Sequence, residues 1–307
     1  IGCRYGVFPR FKHCVEEFEY FGVDADVSEI QRLKKKYHNH KKISLFNCFL
    51  GSKNKKIIFN IHKHKGYSTS KKINPKSLWF GLIRKNEKSI KQKKKIYSFK
   101  SSDWINKNIK GKLILKLDIE GGELDFLKGL TKKNFNNIQA IVAETHFENP
   151  FQSESNFGTI FNYLTKKGYW LANLELHNEE LSIFSNETDK IPHSATSIFL
   201  KKSYSPIKHD SSELEVKCET LYALKLNSLL IEYLKSQGYK KIKDIVIFDK
   251  IKFVCGHIFN NLKKRSFTTY YSLNKDYKKI FRNNLPKNSD FFENNFYNPD
   301  LIENLIN

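Results

Sequence analysis

One segment constrains the fold of this chain more than any other: Leu115-Lys116-Leu117-Asp118-Ile119-Glu120-Gly121-Gly122-Glu123-Leu124. Residues 113–119 form an apolar run that ends among three carboxylates and turns over two glycines. Leu124, Leu127 and Leu130 then recur every three residues, so one helical face can lie on a sheet. Period two puts Lys116, Asp118 and Glu120 on one side if the strand persists that far. Acids this close repel in a closed core, so the economical place for them is a strand exit facing a cleft.

The rest of the first two-thirds repeats the alternation. Strands are expected over residues 20–25, 43–49, 113–119, 138–145, 169–174 and 197–200, and helices over 28–37, 123–130 and 156–167. Such alternation predicts an α/β fold with a mostly parallel sheet flanked by helices, whose ligands bind at the carboxyl ends of the strands. The long interval between residues 49 and 113 exceeds a crossover helix and is expected to hold an inserted hairpin and loop near the ligand edge. Beyond about residue 203 the alternation stops and a helical extension is expected, with 221–234 as its best helix. Pro286, Pro299 and many Asn residues suggest a loosely ordered end.

Other strand ends add candidate groups. Gly2 and Gly6 allow the backbone to approach a ligand without a β-carbon in the way. Some 20 residues later, Tyr20-Phe21-Gly22-Val23-Asp24-Ala25-Asp26 ends a strand in acid, the spacing of a nucleoside site. Asp24 is expected to accept ribose hydroxyls, and Asp26 to cap the next helix. Glu144 and His146 lie two apart at the end of the 138–145 strand and are expected to face the cleft near Asp118, with the imidazole as proton acceptor and the carboxylate orienting it. Glu123 reads equally well as a group complementing a helix dipole. The pairs His38, His40 and His62, His64 read as solvated loops, and no metal centre is expected.

The formal charge of +22 comes from 54 Lys and Arg against 32 Asp and Glu, but only six of the 54 are Arg. Base and phosphate recognition favours Arg, so nucleic acid is the least favoured polyanion. General solvated surface is the first reading of the charge, and an acidic glycan or peripheral membrane contact the second. No apolar run is long enough to span a bilayer. Five cysteines (Cys3, Cys14, Cys48, Cys218 and Cys255) without a C-x-x-C pair point to a reducing, cytoplasmic setting. No Met is present, and a first strand is expected upstream of Ile1.

The segment LKLDIEGGELDFLKGL resembles the hallmark of the FkbM-type methyltransferases, an aliphatic-Lys-aliphatic-Asp-aliphatic-Glu-Gly-small-Glu pattern. Residues 2–11 resemble the family's glycine loop. Residues 22–33 resemble its acidic second-strand end, with Asp24-Ala25-Asp26 where the family usually has Glu-Pro-Asp. The likeness covers residues 1–202, leaving 203–307 as an addition. It implies a Rossmann-like class I methyltransferase domain with a seven-stranded, mostly parallel sheet. It also implies S-adenosylmethionine as methyl donor and a hydroxyl of a sugar, glycan or glycolipid as acceptor. The cofactor contacts expected are Gly2, Cys3, Gly6, Asp24, Ala25, Asn47 and Asp118, and the catalytic group Asp118, Glu120, Glu144 and His146. The rival expectation is a non-catalytic module of the same fold that binds acidic polysaccharide or nucleic acid. The oligomeric state is left open.

Overall fold

The computed structural model describes residues 1–80, 89–181, 189–203 and 211–237. The chain divides into two units, one spanning Ile1–Tyr204 and one starting at Ser205. Expectations for Cys255, Pro286, Pro299 and the end of the chain lie outside the described residues.

In the first unit the order is β1 (Tyr20–Asp24), α1 (Val27–Lys36), β2 (Ile43–Asn47), β3 (Phe49–Gly51), β4 (Lys55–His62), β5 (Ile90–Lys100), α2 (Ser101–Asn108), β6 (Leu113–Leu117), α3 (Glu123–Lys128), α4 (Lys132–Asn137), β7 (Ile138–His146), α5 (Phe157–Lys166), β8 (Tyr169–Leu181) and β9 (Asp189–Lys201). The helices fall where the apolar periodicity put them, and their ends carry local signals. Asp26 caps α1 through Ser28 N at 3.0 Å, and Asn156 caps α5 through Thr159 N at 3.1 Å. Two short helices, α2 and α4, escape the periodicity. In α4 only Phe135 is apolar, and a reciprocal Thr131–Asn134 capping box starts the helix.

The expected seven-stranded, mostly parallel sheet is corrected. Among the described residues, hydrogen bonds define three sheets: β1-β2, β3-β5-β4 and β6-β7-β9-β8. β1 pairs with β2, β3 with β5 and β6 with β7 in parallel, whereas β4 with β5, β7 with β9 and β8 with β9 are antiparallel. A parallel neighbour needs a crossover of a dozen or more residues, and the chain between β8 and β9 is too short for one. The expected strand over 43–49 is two strands, because the chain leaves β2 at Cys48, whose N–H donates to Asp24 O at 3.2 Å, and joins another sheet as β3. The strand expected over 113–119 stops at Leu117, and Glu120 and Gly121 turn through φ 51° and 84°. The insertion is the expected hairpin, β4 against β5.

Ile1 and Gly2 bridge β1 and β6. Gly2 N donates to Val23 O at 2.8 Å, and Asp118 N donates to Ile1 O at 3.2 Å. The carboxyl ends of these strands are thereby held side by side. Beneath them Val23, Leu117, Ile141, Phe126, Leu127 and Leu164 belong to one apolar core, and each is fully buried. Burying such a side chain stabilises the fold by roughly 1.5–3 kcal/mol.

In the second unit α6 (Ser211–Ala223) and α7 (Asn227–Ser236) replace the single helix expected over 221–234. The break falls at Lys225, whose φ of 53° cannot continue a right-handed helix. Among the described residues no helix is long and apolar enough to cross a membrane.

Candidate functional site

A cleft opens where β1, β6 and β7 end. Its lining includes Gly2, Asp24, Ala25, Asp118, Glu120 and Glu144, all expected from the sequence. Bare backbone forms part of the wall: Gly2 has φ 73°, and a β-carbon there would lie 1.7 Å from the Asp118 carbonyl oxygen. Only glycine fits that approach.

Asp24 is 8% exposed, and its Oδ1 accepts from Asp26 N at 2.9 Å. Burial raises its carboxyl above the ordinary value, against the Asp26 N–H and the Arg4 charge, which lower it. Asp26 differs: although burial acts to raise it, Ser28 and the Arg4 guanidinium at 3.2 Å hold it below the ordinary range. One carboxylate therefore fixes the start of α1 while its neighbour faces the cleft.

The hallmark segment supplies the opposite wall. Burial would raise Asp118, but the charge of Lys116, with Nζ at 2.5 Å, and a hydrogen bond from Glu144 outweigh it and hold the carboxyl below its ordinary value. Glu144 is pushed up to about 8, first by burial and then by the charge and hydrogen bond of Asp118. The pair thus holds a proton on Glu144 near neutral pH. Glu120 is driven well above its ordinary value by burial and by Glu144, Asp118, Glu123 and Glu154 around it. Its carbonyl accepts from Thr69 Oγ1 at 2.7 Å, which ties the inserted hairpin to the motif turn. Ser68, Tyr67 and His64 from that same turn line the cleft, as do Arg4 and Tyr5.

Four expected site residues do not line the cleft. Cys3 is buried against Ile30 and Leu33, and burial pushes its thiol up to about 11. Gly6 turns at φ 89° against the Tyr37 ring. Asn47 is exposed and donates through Nδ2 to Asp24 O at 3.0 Å, holding the end of β1. His146 stands behind the wall, and its partner is not Glu144. Its Nδ1 lies 2.5 Å from Glu154 Oε1, while Glu144 Oε1 is 3.8 Å from His177 Nδ1. Of the pairs read as solvated, His62 is instead fully buried in β4 and His64 lines the cleft. Among the described residues no group of three or more His, Cys, Asp or Glu side chains could hold a metal ion.

Two supporting carboxylates were not among the expected site residues. Glu123, read there as a dipole partner, accepts from Ile119 N at 2.8 Å and so clamps the turn, and burial raises it to about 7. The Glu154 side chain, 1% exposed, accepts from His146 and from Phe151 N at 3.0 Å and packs beneath Gly121. Burial would lower His146, but the Glu154 bond and charge, with Glu144 and Glu123, raise it. A histidine raised this way contributes stability that is fully present below its unfolded value and lost as pH rises through its folded one. Glu154→Gln is therefore expected to cost about 1.5–3 kcal/mol at pH 6. The gap to wild type should shrink above about pH 6.5, and chemical denaturation across pH checks this: a gap that stays constant to pH 9 would show that the pair does not share a proton.

No curated protein and no solved structure matches the chain. The family model described as the methyltransferase FkbM domain matches residues 4–171, more than half of the 307 residues. With the glycine loop, the β1 carboxylate and the hallmark segment brought to one cleft, the chain belongs to the FkbM methyltransferase domain family.

Proposed function

We propose that the chain is an S-adenosylmethionine-dependent O-methyltransferase acting on a hydroxyl of a sugar, glycan or glycolipid acceptor. The observation that carries this reading is the meeting of the Gly2 backbone, the Asp24 carboxylate and the Asp118, Glu120 and Glu144 carboxyls around one cleft. The residues fit the donor. A buried carboxyl with one oxygen engaged by Asp26 N is suited to ribose hydroxyls, and an acidic wall suits a positive sulfonium centre.

When bound, S-adenosylmethionine supplies an electrophilic methyl group. Gly2 and Ala25 would lie against it, Asp24 would hold its ribose, and Asp118 with Glu120 would face its charge. Glu144, which sits on the cleft wall and is raised to about 8, would give up its own proton when the sulfonium binds and, as the carboxylate, take the acceptor's. His146, held by Glu154 behind that wall, would stabilise the charge that develops there. Cys3, Gly6 and Asn47 would shape the loop and strand end that present these groups. Transfer to a hydroxyl then depends chiefly on alignment of acceptor and methyl group. Residues 203–307 are an addition to this domain. Cys3 and Cys48 are free thiols, in keeping with a reducing, cytoplasmic setting.

Asp24→Ala is expected to weaken S-adenosylmethionine binding by roughly 10- to 100-fold, the worth of a charge-assisted hydrogen bond pair. Titration calorimetry reads this directly, and equal affinity in variant and wild type would remove Asp24 from the site. Failure of the wild-type chain to bind either S-adenosylmethionine or its demethylated product would favour the non-catalytic module.

A further inference from the structure

The inserted hairpin carries a surface that methyl transfer does not use. β4 contributes two lysines and β5 five, and neither strand contains an acidic residue. The register places Lys56 opposite Tyr97 and Ile58 opposite Lys95, so these four share one face, with Lys93 and Phe99 following at the two-residue period. The other face holds Phe59, 6% exposed, and Ser98, fully buried. On the outer face Ile58 is 45% exposed, Tyr97 46% and Phe99 44%, and the Tyr97 and Phe99 rings meet edge-on at 4.9 Å. Lys56, Lys93 and Lys95 are exposed and make no ion pair among the described residues.

We propose that this outer face of the β4–β5 hairpin docks onto a lipid bilayer bearing anionic headgroups. The side chains alternate between cations, which are drawn to a negative leaflet, and apolar or aromatic groups, which settle at the headgroup boundary. A glycan would leave the exposed Ile58 and Phe99 unused, and beside the lysines this face offers it only the Tyr97 hydroxyl, since Asn60 is buried and already donates to Lys71 O at 2.9 Å. A nucleic acid would be met by arginine, and the hairpin strands contain none. Docking is independent of the reaction in the cleft, since the strand turns Phe59 toward the cleft and Ile58 away from it.

The test is co-sedimentation of the full chain with vesicles of phosphatidylcholine and phosphatidylserine, against phosphatidylcholine alone. Binding only to the anionic vesicles, weakening as salt rises, is expected. Lys93→Glu with Lys95→Glu should reduce it at least about 20-fold, from roughly fivefold for each cation near such a surface. Tyr97→Ser with Phe99→Ser should reduce it about tenfold or more, because the buried apolar area is lost. The single variant Lys93→Glu, at an exposed position, serves if either pair fails to keep the wild-type melting temperature. Absence of vesicle binding, or binding indifferent to these substitutions, would overturn the proposal. So would vesicle binding that ignores Tyr97→Ser with Phe99→Ser and is fully competed by dextran sulfate, an outcome that assigns the face to a polysaccharide.

Discussion

Replacing Gly2 with alanine is expected to destabilise the fold by about 3 kcal/mol, a fall of roughly 6–12 °C in melting temperature, and to weaken S-adenosylmethionine binding more than tenfold. The added β-carbon would meet the Asp118 carbonyl oxygen at 1.7 Å and its carbon at 2.7 Å. These are backbone atoms, so no side chain can swing aside. Relief requires moving either Ile1–Gly2 or the end of β6, and the Asp118 N–H to Ile1 O bond joins the two. Asp118 would leave its place beside Lys116 and Glu144, and the acidic wall would change shape. Gly111→Ala supplies the control. Gly111 has φ 85°, but nothing lies within 4 Å of the place a β-carbon would take, so alanine there meets only the left-handed backbone cost, about 1–2 kcal/mol. Thermal melts and calorimetry of both variants decide the matter: equal losses of stability, with cofactor affinity untouched in both, would remove the close approach at Gly2 from the site.

The parts of this site that could be read in advance are those whose side chains obey a local period or a local cap. The hallmark segment is one, since apolar spacing, clustered acid and paired glycine coincide within ten residues. Asp24 and Asp26 are another, because the strand end and the helix start follow each other directly. What could not be read depends on contacts distant in sequence. Glu154 lies in the irregular link between β7 and α5, and nothing local distinguishes it; its role arises because Gly121 leaves room for it and His146 points back toward it. Glu144 and His146 share a side of β7, as period two required, yet each takes a different partner, Glu144 meeting Asp118 and His146 meeting Glu154. The apolar run over 43–49 concealed a change of sheet at Cys48, since burial looks the same in either sheet. His62 looked like part of a solvated basic loop, but β4 continues through it and carries it into the interior.

The acidic wall also makes a prediction that separates the charged donor from its neutral product. Without ligand, Glu144 is raised to about 8 and Glu120 is raised as well, so the folded chain binds more protons there than the unfolded one. The sign follows: stability from these groups is fully present below the unfolded carboxylate value, about 4.3, and is lost as pH climbs through about 8. A bound sulfonium reverses the balance by favouring the ionised carboxylates, so its binding expels protons. Affinity for S-adenosylmethionine is therefore expected to rise about 3- to 10-fold for each pH unit between 6.5 and 8, approaching the slope of one proton released. The demethylated product shares the nucleoside and amino-acid parts but carries no sulfonium charge, and its affinity should change much less over that interval. The ratio of the two affinities is the measured quantity, because effects common to both ligands cancel in it. Glu144→Gln should flatten the ratio, since the principal titrating group is gone while its shape remains. A ratio that does not vary with pH in the wild-type protein would mean that the sulfonium does not lie against Glu144 and Glu120, and the roles given to these carboxyls would have to be withdrawn.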